Sequence, residues 1–231
     1  MNQKKVSLVG FGFLIRNRRL AQAILQLGKQ HAYEGRMLIR SMIEIHINYS
    51  WIRLSNQERR ANRFMKFEPL EVLKIFKDIH TYMDPIQYRA GKKKHESERA
   101  KVRHLFRHRN KNNNIQWDRT WASIASLEGR LQEIIKTETG KYDGFLYTLY
   151  SWFSSALHGS PVSFSEVVEL SQPLHAKLQP EKEPLSQVVA SFVTLMFTIR
   201  ALASDTGTFK AINPEFSKLE RALRRLMGQY K

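Results

Sequence analysis

The chain contains no cysteine among its 231 residues. Disulfide bonds and thiolate metal sites are therefore excluded, and the composition suits a reducing cytoplasm, which we take as the expected location. Long apolar runs are also absent. The N-terminal run 6–15 is too short to cross a bilayer as a helix, and no small-residue cleavage site follows it. We expect this segment to pack on the core of a soluble protein without a membrane span.

Several motifs that carry chemistry are absent as well. The sequence has no glycine-rich dinucleotide fingerprint, no P-loop and no nucleophile elbow of the serine hydrolases. No histidine and carboxylate spacing typical of a metal site occurs, so we expect neither a metal nor a cofactor. If the protein is an enzyme, a question that the sequence leaves open, it works by metal-independent acid/base chemistry.

Acidic residues are scarce compared with basic ones. The chain has 38 lysines and arginines against 21 aspartates and glutamates, which gives a net charge of +17. Such an excess indicates polyanionic partners: nucleic acid first, then an anionic membrane surface or an acidic protein. Because 42% of the residues are hydrophobic and 11% are aromatic, the chain can nevertheless bury a substantial core.

The apolar residues recur mainly at helical spacing, whereas strand signals are poor. We therefore predict an all-α fold, a single helical bundle of about six to eight helices that occupies residues 1–231. A proline-bounded linker at 173–184 should lead to the C-terminal helices. The predicted helices span roughly 14–30, 32–55, 69–83, 117–137, 141–158, 164–171, 185–204 and 214–229.

Residues 89–114 form a basic block, which we predict to be a partly exposed helical arm or insertion and call the basic arm. Only Glu96 and Glu98 oppose its positive charge. Arg99, Arg103 and Arg107 recur every fourth residue, a spacing that would follow a phosphate backbone along one helix face. The alternative is that these residues form a solvated charged face that does not bind a polyanion. The candidate nucleic-acid-binding residues are Arg89, Lys92, Lys93, Lys94, Arg99, Lys101, Arg103, Arg107, Arg109 and Lys111.

A row of polar residues crosses the otherwise apolar helix predicted at 141–158. Tyr150, Ser154 and His158 recur every fourth residue and thus share one face. Arg40 and Glu44 form a similar pair on another apolar helix. We expect these five candidate catalytic residues to converge between two packed helices, because none of them is cheaply buried alone. They form either a catalytic site or a satisfied structural network.

Arginine placed about a helical turn or two before histidine is a spacing that several HEPN-type ribonucleases use. It occurs here in Arg40 and His46 and in three pairs within the basic arm. Since arginine and histidine are frequent in this chain, the pattern carries little weight. His158, at the end of a helix, is the stronger candidate for a general acid/base. A structural histidine that caps its own helix is the alternative.

Two segments resemble an uncharacterised bacterial family, domain of unknown function 5677. One is Arg40-Ser41-Met42-Ile43-Glu44-Ile45 with Tyr49 to Ile52, and the other is Tyr147, Tyr150, Ser154 and His158-Gly159-Ser160. Trp117 and Trp121 also fit, and the resemblance covers roughly residues 30–165. It implies an all-helical fold, distantly HEPN-like, without an established activity. HEPN relatives act as ribonuclease toxins or nucleotide-binding modules in bacterial defence. No arginine precedes His158 at the HEPN spacing, which weighs against nuclease activity.

Three functions follow as expectations. The first is a nucleic-acid-binding helical protein, with RNA or single-stranded DNA as its partner, in a bacterial defence or stress system. The second is a metal-free ribonuclease toxin with His158 as general acid/base and Arg40 stabilising charge on the phosphate. The third is a basic interaction module that docks an acidic protein or antitoxin. Homo-oligomer formation stays open.

Overall fold

The computed structural model describes residues 4–27, 31–118, 120–122, 126–137 and 184–208 continuously. Shorter stretches and single positions are described at 124, 147–148, 150–151, 154, 168–169, 175–176, 211, 214, 217–218, 221 and 225. The helices are α1 (Lys4–Leu27), α2 (Ala32–Leu54), α3 (Gln57–Lys66), α4 (Glu68–Asp78), α5 (Pro85–Lys101), α6 (Arg103–Phe106), α7 (Leu127–Ile135) and α8 (Pro184–Asp205). A 3-10 turn at His80–Tyr82 joins α4 to α5.

Helices α1, α2 and α8 pack against one another and form the centre of the molecule. Helix α1 begins ten residues earlier than predicted, and its apolar N-terminal run packs on the core, as expected: Val6, Val9 and Phe13 are buried. Gly10 allows this close packing, because a Cβ there would overlap the hydroxyl of Tyr49 and lie 2.7 Å from Leu202 Cδ1. The helices named above account for most of the described residues, so the predicted all-α class is confirmed.

Aromatic side chains connect this centre to α3, α7 and the loop that precedes α7. Trp121 makes edge contacts with Trp51 and Phe64, at ring-centroid distances of 5.4 and 5.0 Å. The indole of Trp51 donates a hydrogen bond of 2.6 Å to Glu133 on α7. Arg60 packs 3.6 Å above the Trp51 ring and also bonds to Glu133. Burial lowers the pKa of Arg60, and the carboxylate of Glu133 partly offsets this effect.

Helices α4 and α5 pack against each other. Asp84 caps α5, since its side chain accepts hydrogen bonds from the backbone N–H groups of Ile86 and Gln87. Phe76 of α4 stacks on Tyr88 of α5 at 5.4 Å. Helix α5 buries none of its residues, so it lies on the surface of the molecule.

The single helix predicted at 117–137 is wrong. Residues Arg107–Arg109 (β1) and Ile115–Trp117 (β2) pair as an antiparallel hairpin, with Arg107 opposite Trp117. The helix itself begins only at Leu127, where the Ser126 side chain accepts a hydrogen bond from the backbone N–H of Gly129. Trp117 and Trp121 have helical spacing in the sequence, but they do not share a helix face. Trp117 packs against Arg99, whereas Trp121 packs against Trp51 and Phe64.

A second short pair of strands lies where the sequence predicted a weak helix and a linker. Val168–Glu169 (β3) pairs with His175–Ala176 (β4), so the prediction of a helix at 164–171 is wrong at these positions. The last predicted helix, 214–229, falls mostly outside the described residues; those described, such as 214, 217 and 221, are helical. Among the helices of the described residues, none is both long and apolar enough to span a membrane.

Candidate functional site

Arg40 on α2 forms hydrogen bonds to two residues of the predicted polar row, Tyr150 and Ser154. Its Nε donates a hydrogen bond of 2.8 Å to Ser154 Oγ, and its Nη2 donates one of 3.0 Å to the hydroxyl of Tyr150. Ser154 in turn donates to the backbone carbonyl of Tyr150, at 2.7 Å. The guanidinium carbon lies 5.0 Å from the centroid of the Tyr150 ring. The three side chains therefore form one continuous, half-buried network.

Arg130 of α7 interacts electrostatically with Tyr150 of this network, although the sequence did not single it out. Its side chain is buried, and its Nη1 donates a hydrogen bond of 3.1 Å to the carbonyl of Ile124. Burial lowers the pKa of Arg130, while the nearby Glu44 carboxylate and Tyr150 raise it. The Glu44 carboxylate thus helps to stabilise the buried charge of Arg130. The signal that could have identified Arg130 is its helical spacing, which puts it on the same face as Leu131 and Ile134.

His158, the proposed general acid/base, lies outside the described residues. The side chains of Arg40 and His46 do not meet. His46 is buried, lies 3.4 Å from Ser50 Oγ and packs against Phe197 of α8. Arg40 instead forms hydrogen bonds to Tyr150 and Ser154. Six residues on a helix turn through about 240°, so the two side chains leave α2 in different directions. Arg40 is engaged in a satisfied network, which favours a structural role for it.

The basic arm comprises most of α5, all of α6 and β1, and the turn of the β1–β2 hairpin. Eight of its ten lysines and arginines are exposed, and Lys92 and Arg99 are half-buried. Lys92 lies 6.0 Å from the Tyr88 ring centroid, and Arg109 bonds to Asn113 in the hairpin turn. In the part of the chain that is described, Lys101 is the one member of the ten that forms an ion pair, with Glu98 at 2.5 Å. The hydrogen bond from Lys101 lowers the pKa of this glutamate.

The predicted row of Arg99, Arg103 and Arg107 does not lie on one helix, and this prediction is wrong. Helix α5 ends at Lys101, and Val102 has non-helical dihedral angles of −105° and 7°. Arg103 therefore lies on α6 and Arg107 on β1. Val102 is buried, so packing of its side chain replaces the helical turn that the spacing required.

A groove with a volume of about 580 Å³ lies at the base of the basic arm, between α4, the end of α5 and β2. Phe67 and Leu73, both buried, lie at its apolar floor. Lys74 and Lys77 of α4 line it together with Arg99 and the half-buried Trp117. The guanidinium of Arg99 lies 4.6 Å from the Trp117 ring centroid. The groove is therefore cationic and aromatic, and the sequence alone did not reveal it.

Arg63 of α3 fixes the hairpin beside this groove. It bonds to the carboxylate of Asp118 at 2.6 Å, to the carbonyl of Trp121 at 3.0 Å and to the carbonyl of Leu105. The other carboxylate oxygen of Asp118 lies 3.0 Å from Nδ1 of His108. Asp118 is thus largely neutralised, although it lines the groove. Among the described residues, no group of three or more potential ligands could hold a metal ion.

These features define a basic, mainly α-helical protein with a cationic arm and an adjoining groove. Residues 8–173 match the family model described as a family of unknown function (DUF5677), and the chain belongs to this family. The match contains both the Arg40 network and the basic arm. No curated protein and no solved structure matches the chain.

Proposed function

We propose that the protein binds nucleic acid, and RNA in particular, through the phosphate backbone. The observation that carries this proposal is the exposed charge of the basic arm. The arm has ten lysines and arginines but only two glutamates. Among the described residues, one of these ten cations, Lys101, forms an ion pair. A cationic surface left unneutralised within the fold favours an external polyanion.

The geometry of the arm favours an extended polyanion. Helix α5 has 17 residues, and a helix of this length extends over about 25 Å. Exposed cations continue from α5 onto the hairpin, as far as Lys111 in its turn. Several successive phosphates of one strand would fit this length. Because no side chain of the arm belongs to a motif that reads base edges, we expect binding that is independent of sequence.

The test compares two variants that remove the same charge from different surfaces. The arm variant replaces five exposed cations by glutamine, and the control variant does the same on α1. The arm set is Arg89, Lys93, Lys94, Arg103 and Lys111. The control set is Lys4, Lys5, Arg16, Arg18 and Arg19, all of which are exposed. Each variant lowers the net charge of +17 by five.

Affinity for labelled RNA should be measured over a range of salt concentrations. If the five arm residues contact phosphates, the slope of log K against log salt should become flatter by about 3.5 on single strands and about 4.5 on duplex. The control variant should keep the wild-type slope. Equal slopes for the two variants would show that net charge alone attracts RNA, and no binding by the wild type would refute the proposal. Cleavage of the RNA would instead favour the ribonuclease alternative.

A further inference from the structure

We infer that the groove beside Trp117 holds one unpaired nucleotide, so that the protein prefers single-stranded RNA to duplex. This inference rests on the proposed function, since the basic arm supplies the general attraction for RNA. The groove adds a different element, a concave site with an aromatic wall. Its volume of about 580 Å³ lies within the usual range of small-molecule sites, about 300–1,000 Å³.

The aromatic wall suits a nucleobase. Arg99 packs over one face of the Trp117 ring, so the indole supports the guanidinium, and the outer face of this plane is the flat surface that a base can use. Every base can stack on such a surface, because stacking requires only a π-face and no particular hydrogen-bonding edge. Apolar contact with Phe67 and Leu73 below would shield the base from water.

The cationic rim suits the phosphate of the same nucleotide. Lys74 and Lys77 are exposed on α4, about one helical turn apart, and line the groove together with Trp117. Of the two acids that line the groove, Asp118 is held by Arg63 and His108, which leaves Glu71 as the less neutralised one. The three basic residues that line the groove, Lys74, Lys77 and Arg99, outnumber its two acids, so the charge of the lining as a whole favours an anion.

The partial burial of Trp117 disfavours contact with paired bases. Trp117 lies on the hairpin and is half-buried, so a base must leave its stack to reach the Arg99 and Trp117 pair. A base in an A-form duplex is held in its stack, and its deep major groove is closed to side chains. Duplex RNA can therefore contact the arm but not the groove, and the single strand gains the additional interaction.

The test measures the affinities of the full chain for a short single-stranded RNA of mixed sequence and for the same RNA annealed to its complement. Trp117→Ala should weaken single-strand binding by about 5- to 150-fold, the usual contribution of one stacked base, while duplex binding changes little. Trp117→Phe should retain most of the single-strand preference. Thermal unfolding of each variant checks that the hairpin still folds.

A second pair of variants keeps the inference testable if Trp117→Ala fails to fold. Lys74→Glu reverses a charge in the groove, and Lys66→Glu reverses one at the exposed end of α3, outside the groove residues. Lys74→Glu should weaken single-strand binding more than duplex binding, whereas Lys66→Glu should affect both equally. Equal effects of the groove variants on both RNAs, or no effect, would overturn the inference. The arm variant would still test the proposed function separately.

Discussion

The Arg40 network shows how single polar residues are accommodated inside a helical fold. Each of the three side chains would cost stability if buried alone, and each finds its partner within the network. Arg40 alone joins two positions of the neighbouring helical segment, Tyr150 and Ser154. The arrangement therefore stabilises the packing of that segment against α2.

We predict that Arg40 and Tyr150 are energetically coupled. Arg40→Ala and Tyr150→Phe should each lower the free energy of unfolding by about 1–3 kcal/mol, because each removes a half-buried hydrogen-bond partner. The double variant should lose less than the sum of the two, with a coupling energy of about 0.5–3 kcal/mol. Urea unfolding of the four proteins gives these values. Arg59→Ala, at an exposed position of α3, is the control and should change stability by less than about 0.5 kcal/mol. Strict additivity would show that the two side chains act independently.

At the scale of elements, Gly91 determines how closely α4 and α5 approach. A Cβ at this position would overlap the ring of Phe76, which also packs against Tyr88 at 5.4 Å and His95 at 4.9 Å. A ring displaced by a Cβ at Gly91 would lose its contacts with these two neighbours. The glycine is thus required by packing, since its backbone has ordinary helical geometry.

Gly91→Ala should destabilise the α4–α5 pair by about 1–2 kcal/mol, because the steric overlap exceeds the gain in helix propensity. Gly12 offers a matched control: it also lies inside a helix, but a Cβ there meets nothing within 4 Å. Gly12→Ala should therefore stabilise the protein by about 0.5–1 kcal/mol. Thermal and urea unfolding measure both effects. Stabilisation by Gly91→Ala would mean that Phe76 can rotate away at little cost.

The elements also show what the sequence can and cannot predict. Helices with a regular apolar face, such as α8, lie within a residue of their predicted bounds. The β1–β2 hairpin was missed because its strands are three residues long and mostly exposed, and because its turn lacks an Asn-Gly pair. Asn113 instead adopts the left-handed conformation, with φ of 60°, and Asn110 accepts hydrogen bonds from Asn112 and Asn114.

Of the two candidate sites, the sequence indicated the Arg40 network but not the groove. Arg40, Tyr150 and Ser154 could be selected because a polar residue on an apolar helix must find a partner nearby. The groove could not, because Lys74, Arg99 and Trp117 come from three elements whose arrangement depends on the unrecognised hairpin. Local periodicity predicts a helix face, but it carries no information about how distant elements meet.

At the scale of the whole molecule, a polar network joins the end of α2 to the end of α8. The hydroxyl of Tyr49 donates a hydrogen bond of 2.6 Å to Asp205, and Arg53 binds the other oxygen of this carboxylate at 2.7 Å. Burial raises the pKa of Tyr49 well above its usual value, and the hydrogen bond to Asp205 raises it further. The protonated phenol thus connects α2 to α8.

This raised pKa predicts a loss of stability in alkaline solution. Below about pH 10 the phenol is protonated in both states, so its full contribution is present. Above about pH 10 the unfolded chain releases the proton while the folded protein retains it, and the free energy of unfolding falls by about 1.4 kcal/mol per pH unit. Tyr49→Phe removes this dependence.

The experiment is urea unfolding of both proteins from neutral to alkaline pH. At neutral pH Tyr49→Phe should be less stable by about 1–3 kcal/mol, since it leaves Asp205 with Arg53 as its remaining partner in this network. Above about pH 10 the difference between the two proteins should shrink by about 1.4 kcal/mol per unit. Titration of the lysines and the other tyrosines alters both proteins alike, so the difference isolates Tyr49. A difference that stays constant across this range would show that Tyr49 ionises as readily in the folded protein as in the unfolded chain.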